Sequence, residues 1–197
     1  MKPYLPLGLS EIRKIATERE LTNFYFNNPE FVNSRLFWNF VDIQTFASQC
    51  PEVTGCLRWY MDEIKGIYLL KVLENTPATM HIDDTEVFCR LNWPILNGAS
   101  AVTQWYDYLD DEYSKWQLPN NVPYIKVNND KCRLIGEYVM ETPAIVQVRI
   151  PHRVLPLKDK PLPRVMLSVS GTGLRKHLAE DSYVASWFTE TGEPVAL

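Results

Sequence analysis

The chain has 197 residues, of which 46% are hydrophobic, 22% charged and 12% aromatic, a composition that excludes disorder, collagen and coiled coil. Lys and Arg number 20 against 24 Asp and Glu, and the resulting net charge of −4, with no basic stripe, argues against nucleic-acid binding. At about 100–200 residues per domain, the length predicts one compact domain, or a core with a helical extension.

The N-terminal residues, the apolar stretches and the cysteines indicate the cellular compartment. Two prolines and several charged residues precede any long apolar run, so no signal peptide is predicted. No apolar stretch approaches the about 18 residues of a spanning helix, so no membrane partner is expected. Cys50, Cys56, Cys89 and Cys132 form no CxxC pair, which predicts reduced and mostly buried thiols. Together these features predict a cytoplasmic protein.

The first 65 residues have the pattern of a helical extension of the same domain. Ser10 is predicted to cap a first helix. Apolar residues at helical spacing predict a second helix over 36–48. Pro51, at a first helical position, predicts a third helix over 52–64.

After residue 66 the sequence becomes rich in β-formers. Seven short strands are predicted, at 67–73, 87–95, 101–106, 124–127, 132–140, 144–150 and 164–169. Because no helices separate them, they indicate an antiparallel sandwich or barrel rather than a parallel sheet. The polar connection 107–123 is predicted to be a rim or lid loop, and 171–197 a C-terminal tail.

Two of the three histidines lie where a metal ion can be bound. If the segment after the turn at Pro77 is extended, His81 and Asp83 point to the same side and can bind one ion together. His152 is placed at the end of the strand 144–150. The third histidine, His177, lies in a basic run and is expected to be exposed.

A candidate anion anchor follows His152 by twelve residues. Along the strand 164–169, Arg164, Met166 and Ser168 alternate onto one face. Two histidines and one carboxylate on Fe(II) leave three positions open for a bidentate 2-oxo acid and O2. Arg164 is then expected to anchor the far carboxylate of that acid, and Ser168 to add a hydroxyl donor.

With these motifs the sequence resembles the 2-oxoglutarate- and Fe(II)-dependent oxygenases. The motifs are His81-Ile82-Asp83, the strand Cys89-Arg90-Leu91-Asn92-Trp93-Pro94-Ile95, the pair Pro151-His152, and Arg164. The aspartyl/asparaginyl β-hydroxylase-like and prolyl-hydroxylase-like branches are the most similar. Many aspartyl hydroxylases lack the Asp ligand, which is present here as Asp83.

The resemblance covers about residues 66–170 and implies a fold and an activity. The implied fold is mainly β, a double-stranded β-helix (jelly roll, cupin-like). The N-terminal helices, which none of the motifs covers, are predicted to pack on it. The implied site has His81, Asp83 and His152 as metal ligands, and Arg164, Ser168 and Arg90 as cofactor-binding residues. The implied cofactors are Fe(II), 2-oxoglutarate as co-substrate, and ascorbate as an optional reductant. The implied activity is hydroxylation of a C–H bond on a small-molecule or peptide substrate, such as an amino-acid side chain.

The sequence leaves alternatives open for several residues and for the function. Arg90 either lines the pocket or forms a salt bridge, and Asp84 is expected to face away from the metal. The aromatic residues Trp93, Trp105, Tyr106 and Tyr108 either shape a substrate cleft or belong to the core. Two other functions are a catalytically silent jelly-roll binding protein and a cupin-type metalloenzyme that uses no 2-oxoglutarate. The presence of all four motif residues argues against the first, and the scarcity of histidine argues against the second.

Overall fold

The computed structural model describes residues 3–57, 63–76, 79–83, 87–109, 114–117 and 123–171. Asp84, His177, the tail after 171 and parts of the predicted 107–123 loop lie outside these residues. The described helices are α1 (Glu11–Asn27), α2 (Pro29–Asn33), α3 (Ile43–Gln49) and α4 (Pro51–Leu57). The described strands are β1 (Tyr4–Pro6), β2 (Trp38–Val41), β3 (Ile64–Val72), β4 (His81–Asp83), β5 (Cys89–Leu96), β6 (Ala101–Tyr108), β7 (Ser114–Gln117), β8 (Pro123–Lys126), β9 (Cys132–Val139), β10 (Ala144–Gln147), β11 (His152–Pro156) and β12 (Arg164–Gly171). In this part of the chain no helix has the length and apolar character needed to cross a membrane.

The strands form two six-stranded antiparallel sheets. Sheet A has the order β1-β10-β5-β12-β3-β2, and sheet B the order β7-β8-β4-β11-β6-β9. From β3 to β6 successive strands alternate between the two sheets, and they alternate again from β9 to β12. The prediction of a mainly β, antiparallel architecture is therefore confirmed.

The helices cover one face of sheet A. On β12, Val165, Leu167 and Val169 belong to the same buried cluster as Phe24 of α1 and Phe46 of α3. Burial of such apolar side chains, at about 25 cal/mol per Å² of surface, is the main force that attaches the helices to the sheet. The N-terminal helices are thus packed on the β-structure, as predicted.

The helix ends are fixed by side chains. Ser10 accepts a hydrogen bond from the backbone N–H of Arg13, which confirms the predicted cap of α1. Asp42 caps α3 in the same way, through the backbone N–H of Thr45 at 2.8 Å. At the start of α4 the cap comes from another helix, because Glu20 of α1 accepts from two backbone N–H groups, those of Glu52 at 3.0 Å and Val53 at 2.8 Å.

The second core lies between the two sheets. Trp105 of β6 is fully buried and packs with Val146 of β10 and Met166 of β12. Tyr4 of β1 stacks on Trp105 with ring centroids 5.1 Å apart. Because Met166 lies in this core while Val165 and Leu167 face the helices, Arg164, Met166 and Ser168 share the inner face of sheet A, as their alternation predicts.

The predicted helix over 36–48 is wrong in its first part. Residues Trp38–Val41 form β2, which pairs with β3 so that Trp38 lies opposite Leu70. Leu36 and Phe40, expected to be buried on one helical face, are 51% and 64% exposed. Pairing with the edge of sheet A overrides the local helical spacing, and the helix begins only at Ile43.

Three further differences from the prediction concern a helix, a strand and a loop. Of the helix predicted over 52–64 the structure describes α4 up to Leu57, and Ile64, the predicted last residue, belongs to β3. The strand over 144–150 ends at Gln147, so that His152 starts a new strand, β11, in the other sheet. Part of the expected 107–123 loop is extended structure, since β7 and β8 pair as a hairpin at the edge of sheet B.

Three of the four aromatic residues considered for a substrate cleft, and three of the four cysteines, are buried. Trp93, Trp105 and Tyr106 are buried, with 1%, 0% and 7% exposure, which favours the core alternative for these three. Tyr108 is partly buried against the cluster that contains Tyr106. The cysteines form no disulfide, and those at 50, 56 and 89 are buried. Burial raises the pKa of Cys50 to about 12, so this thiol stays protonated.

Candidate metal centre

Two neighbouring strands of sheet B bring the three predicted ligands together. His81 begins β4 and His152 begins β11, and the two residues lie directly opposite each other in the antiparallel pair. Asp83, two residues after His81, has its Oδ1 3.5 Å from Nε2 of His81 and 3.8 Å from Nε2 of His152. One ligand atom from each of these residues lies within 4.8 Å of the other two. These distances suit a single metal ion held by two nitrogens and one oxygen.

Both imidazole rings are oriented by backbone carbonyls. Nδ1 of His81 lies 2.9 Å from the carbonyl oxygen of Thr79, and Nδ1 of His152 lies 2.9 Å from that of Ile150. A carbonyl oxygen can only accept a hydrogen bond, so each Nδ1 carries the proton. In the neutral tautomer each Nε2 then has a lone pair directed at the space beside Asp83, as in histidines that bind metals.

The electrostatics of the cluster favour an ionised carboxylate beside a neutral imidazole. Burial acts to raise the pKa of Asp83, but hydrogen bonding to His81 and the charges of Arg90 and His152 outweigh it and hold this pKa well below its usual range. Burial and the neighbouring His81 lower the pKa of His152 to about 4. For His81 the burial effect, which lowers the pKa, is outweighed by Asp83, so the pKa is raised. Before a metal binds, His81 is therefore the ring that competes for a proton.

Arg90 contacts the second oxygen of the carboxylate. Its Nε donates to Oδ2 of Asp83 at 3.1 Å, and both side chains are 8% exposed. The guanidinium carbon lies 4.5 Å from the ring centroid of Trp38 and 5.3 Å from that of Tyr68. The salt bridge, one of the two alternatives for Arg90, is therefore present in the structure.

A row of buried polar atoms on the inner face of sheet A makes no hydrogen bond within the described residues. Ser168 of β12 lies opposite Asn92 of β5, and Ser170 lies opposite Arg90. The atoms without a partner are Nη1 of Arg90, Oδ1 of Asn92, Nη2 of Arg164 and Oγ of Ser168. Buried polar groups are rarely left unpaired, because each costs about 1–3 kcal/mol. Four of them on one inner surface make this surface a candidate binding site for a polar ligand.

Arg164 is the most unusual member of this row. It is 3% exposed, and its Nε donates to the carbonyl oxygen of Gly98 at 3.2 Å. Among the described residues no carboxylate forms an ion pair with it. Burial lowers its pKa to about 10, which leaves it charged at neutral pH. A buried and unpaired cation is costly to a protein, and an anionic ligand at this position would relieve that cost.

Three residues of the site lie outside the sequence motifs. Trp38 and Tyr68 contact Arg90, as described above. Tyr124 of β8 meets His81 edge to face, with ring centroids 5.6 Å apart. Trp38 lies in a segment predicted to be helical and Tyr124 next to a predicted loop, so no spacing in the sequence linked either of them to the HxD motif.

A scan against models of known protein families finds no match to this chain, and neither does a search of curated proteins. Among solved structures, one similar chain is the epimerase SnoN, crystallised in complex with Fe3+, alpha ketoglutarate and nogalamycin RO. The two chains are 12% identical with a TM-score of 0.42, and the alignment covers 85% of this chain and 78% of that one. This similarity assigns no role to a residue of the present chain.

Proposed function

We propose that this protein is an Fe(II)- and 2-oxoglutarate-dependent oxygenase that hydroxylates a C–H bond, on an amino acid or a peptide side chain. The observation that carries the proposal is the convergence of Nε2 of His81, Nε2 of His152 and Oδ1 of Asp83 within 4.8 Å of one another. The buried, unpaired Arg164 on the inner face of sheet A supports it independently.

The order of the strands supports a jelly roll. Eight strands, β3 to β6 and β9 to β12, divide equally between the sheets, as β10-β5-β12-β3 in sheet A and β4-β11-β6-β9 in sheet B. Two four-stranded antiparallel sheets joined by chain crossings are the architecture of double-sheet jelly rolls. We assign residues 66–170 to this core, residues 1–65 to an extension of the same domain, and residues 171–197 to a tail.

The donor set fits iron. Two neutral imidazoles and one carboxylate on one side of the ion are the ligands of non-haem Fe(II) oxygenases, and they leave positions open for a 2-oxo acid and O2. When bound, iron supplies the activation of O2, coupled to conversion of 2-oxoglutarate into succinate and CO2. In the balanced reaction one oxygen atom of O2 enters the substrate as hydroxyl and the other enters succinate.

The charges around the site favour a co-substrate with two carboxylates. Arg90 and Arg164 contribute two positive charges to the inner face of sheet A, whereas Asp83 contributes one negative charge. A divalent metal ion would increase this positive excess, and a dianion would reduce it.

The protein's own side chains then have separate tasks. Arg164 binds the distal carboxylate of 2-oxoglutarate, since a guanidinium pairs with a carboxylate in a bidentate manner, and Ser168 donates its hydroxyl to the same ligand. Thr79 and Ile150, through their carbonyl groups, hold the two imidazoles with Nε2 toward the metal. The burial of Asp83, His152 and Arg164 keeps water away from the reacting groups.

The proposal predicts succinate formation that requires Fe(II), O2 and 2-oxoglutarate together. Protein reconstituted with Fe(II) in the presence of ascorbate is incubated with 2-oxoglutarate and a panel of amino acids and peptides, and succinate is quantified. We expect slow basal turnover that the correct substrate stimulates, with one hydroxylated product per succinate. Reactions without O2, or with Zn(II) in place of Fe(II), are the controls.

Two results would contradict the proposed function in different ways. Binding of 2-oxoglutarate without succinate under any condition would indicate a silent binding protein. Oxidation of a substrate without consumption of 2-oxoglutarate would indicate a cupin-type metalloenzyme of another class.

A further inference from the structure

An arginine that packs against two neighbouring aromatic rings donates a hydrogen bond to the candidate metal ligand Asp83. Arg90 projects from β5, and its guanidinium lies 4.5 Å from the ring of Trp38 on β2 and 5.3 Å from the ring of Tyr68 on β3. The two rings meet edge to face with centroids 5.0 Å apart. The cation–π contacts with both rings and the hydrogen bond to Asp83 together restrict the guanidinium, whose N–H donors form a fixed fork.

The hydrogen bond from Arg90 determines which oxygen of the Asp83 carboxylate is left for the histidines. Oδ2 accepts from Nε of Arg90 at 3.1 Å, while Oδ1 faces Nε2 of both histidines, at 3.5 and 3.8 Å. A carboxylate without such a partner rotates about its terminal torsion and can present either oxygen, or both, to a metal. With Oδ2 engaged, only Oδ1 is presented.

Building on the metal site of the proposed function, we propose that Arg90 is a positioning residue that, held by Trp38 and Tyr68, fixes Asp83 as a one-oxygen ligand. This role links the N-terminal segment to the metal site. Trp38 lies outside the residues that carry the oxygenase resemblance, yet through Arg90 it supports the metal ligand. The segment that contains β2 therefore contributes to metal binding as well as to the covering of sheet A.

A positioning role for Arg90 and a purely electrostatic role predict opposite effects of its substitution on metal affinity. If Arg90 acts only as a cation near the site, it repels a divalent ion, and Arg90→Gln should tighten metal binding. If Arg90 positions Asp83, the same substitution should weaken metal binding, by about 10–100-fold for the loss of a partner of a metal ligand. Arg90→Lys separates positioning from charge further, since it keeps the positive charge but loses the contacts of the guanidinium with the rings and its fork of N–H donors.

The test is Mn(II) binding without 2-oxoglutarate or substrate, followed by the electron paramagnetic resonance signal of the free ion. We expect Arg90→Gln and Arg90→Lys each to bind Mn(II) at least about tenfold more weakly than the unaltered protein. Trp38→Leu, which leaves Arg90 and Asp83 in place, is expected to weaken binding severalfold. The matched control is Arg153→Gln, because Arg153 also lies over a tyrosine ring, Tyr106 at 5.3 Å, but bonds to Gln104 rather than Asp83.

The outcomes separate this inference from the proposed function. Absence of Mn(II) binding by the unaltered protein would contradict the metal site itself. Equal or tighter binding by Arg90→Gln, or binding by Arg90→Lys equal to that of the unaltered protein, would overturn the positioning role. Circular dichroism establishes that each variant is folded, and if Arg90→Gln is not, Arg90→Lys and Trp38→Leu decide the question.

Discussion

Replacement of His81 or His152 by alanine is expected to abolish both metal binding and succinate formation. Each ring supplies one nitrogen of a three-atom donor set, and its Nδ1 is already committed to a backbone carbonyl. The loss of an outer partner of a ligand costs about 10–100-fold in metal affinity, so the loss of a ligand should cost more. Mn(II) titration and the succinate assay measure the two effects separately.

The third histidine provides the matched control for these substitutions. His177→Ala removes the same side chain from the third histidine, which the sequence pattern does not place among the metal ligands. We expect this variant to bind Mn(II) and to form succinate at the unaltered rate. Succinate formation by His81→Ala or His152→Ala at a rate close to that of His177→Ala would refute the assignment of the triad.

Substitution of Arg164 by methionine is expected to weaken 2-oxoglutarate binding strongly and leave metal binding intact. Loss of one partner of a buried charge pair costs about 2–4 kcal/mol, which corresponds to a roughly 30- to 700-fold rise in Kd. The one hydrogen bond shown for Arg164 goes to the carbonyl of Gly98 and none goes to the triad, so Mn(II) affinity should not change. Calorimetric titration of 2-oxoglutarate into the Mn(II)-loaded variant measures the Kd of 2-oxoglutarate.

The same variant distinguishes a ligand anchor from a structural arginine. Methionine removes a buried cation that has no carboxylate partner in the described residues, so the thermal stability of the ligand-free protein should hold or rise. Arg133→Met, at an exposed arginine paired with Asp107, is the control for the loss of a surface charge. Unchanged 2-oxoglutarate affinity together with a large loss of stability would show that Arg164 is structural.

The alternation of apolar and polar residues was enough to predict the fold class, because the two-residue period of a strand is a local property of the sequence. The alternation of Arg164, Met166 and Ser168 places them on one inner face, and the structure agrees. The helix predicted over 36–48 was wrong because Trp38 pairs with Leu70, more than thirty residues away, and spacing within a segment does not report such pairing. His152 was assigned to the end of one strand, whereas the chain crosses between sheets just before it.

The candidate site was predictable to the extent that its residues lie in short motifs. His81 and Asp83 are two residues apart on one strand, so their common orientation follows from the strand period. The contacts of Arg90 with Asp83, Trp38 and Tyr68 join three strands of sheet A to sheet B, and no sequence spacing encodes them. The same holds for Tyr124, which reaches His81 only through the pairing of β8 with β4.

The central claim is that a metal ion at the triad and Arg164 together bind a 2-oxo dicarboxylate. The most direct measurement is a calorimetric titration of 2-oxoglutarate, without O2, into the protein with and without Mn(II). We expect one binding site that requires the metal, and much weaker binding of 2-oxobutyrate, which lacks the distal carboxylate. Binding that is independent of the metal, equal affinity for both acids, or no binding to the metal-loaded protein would contradict it.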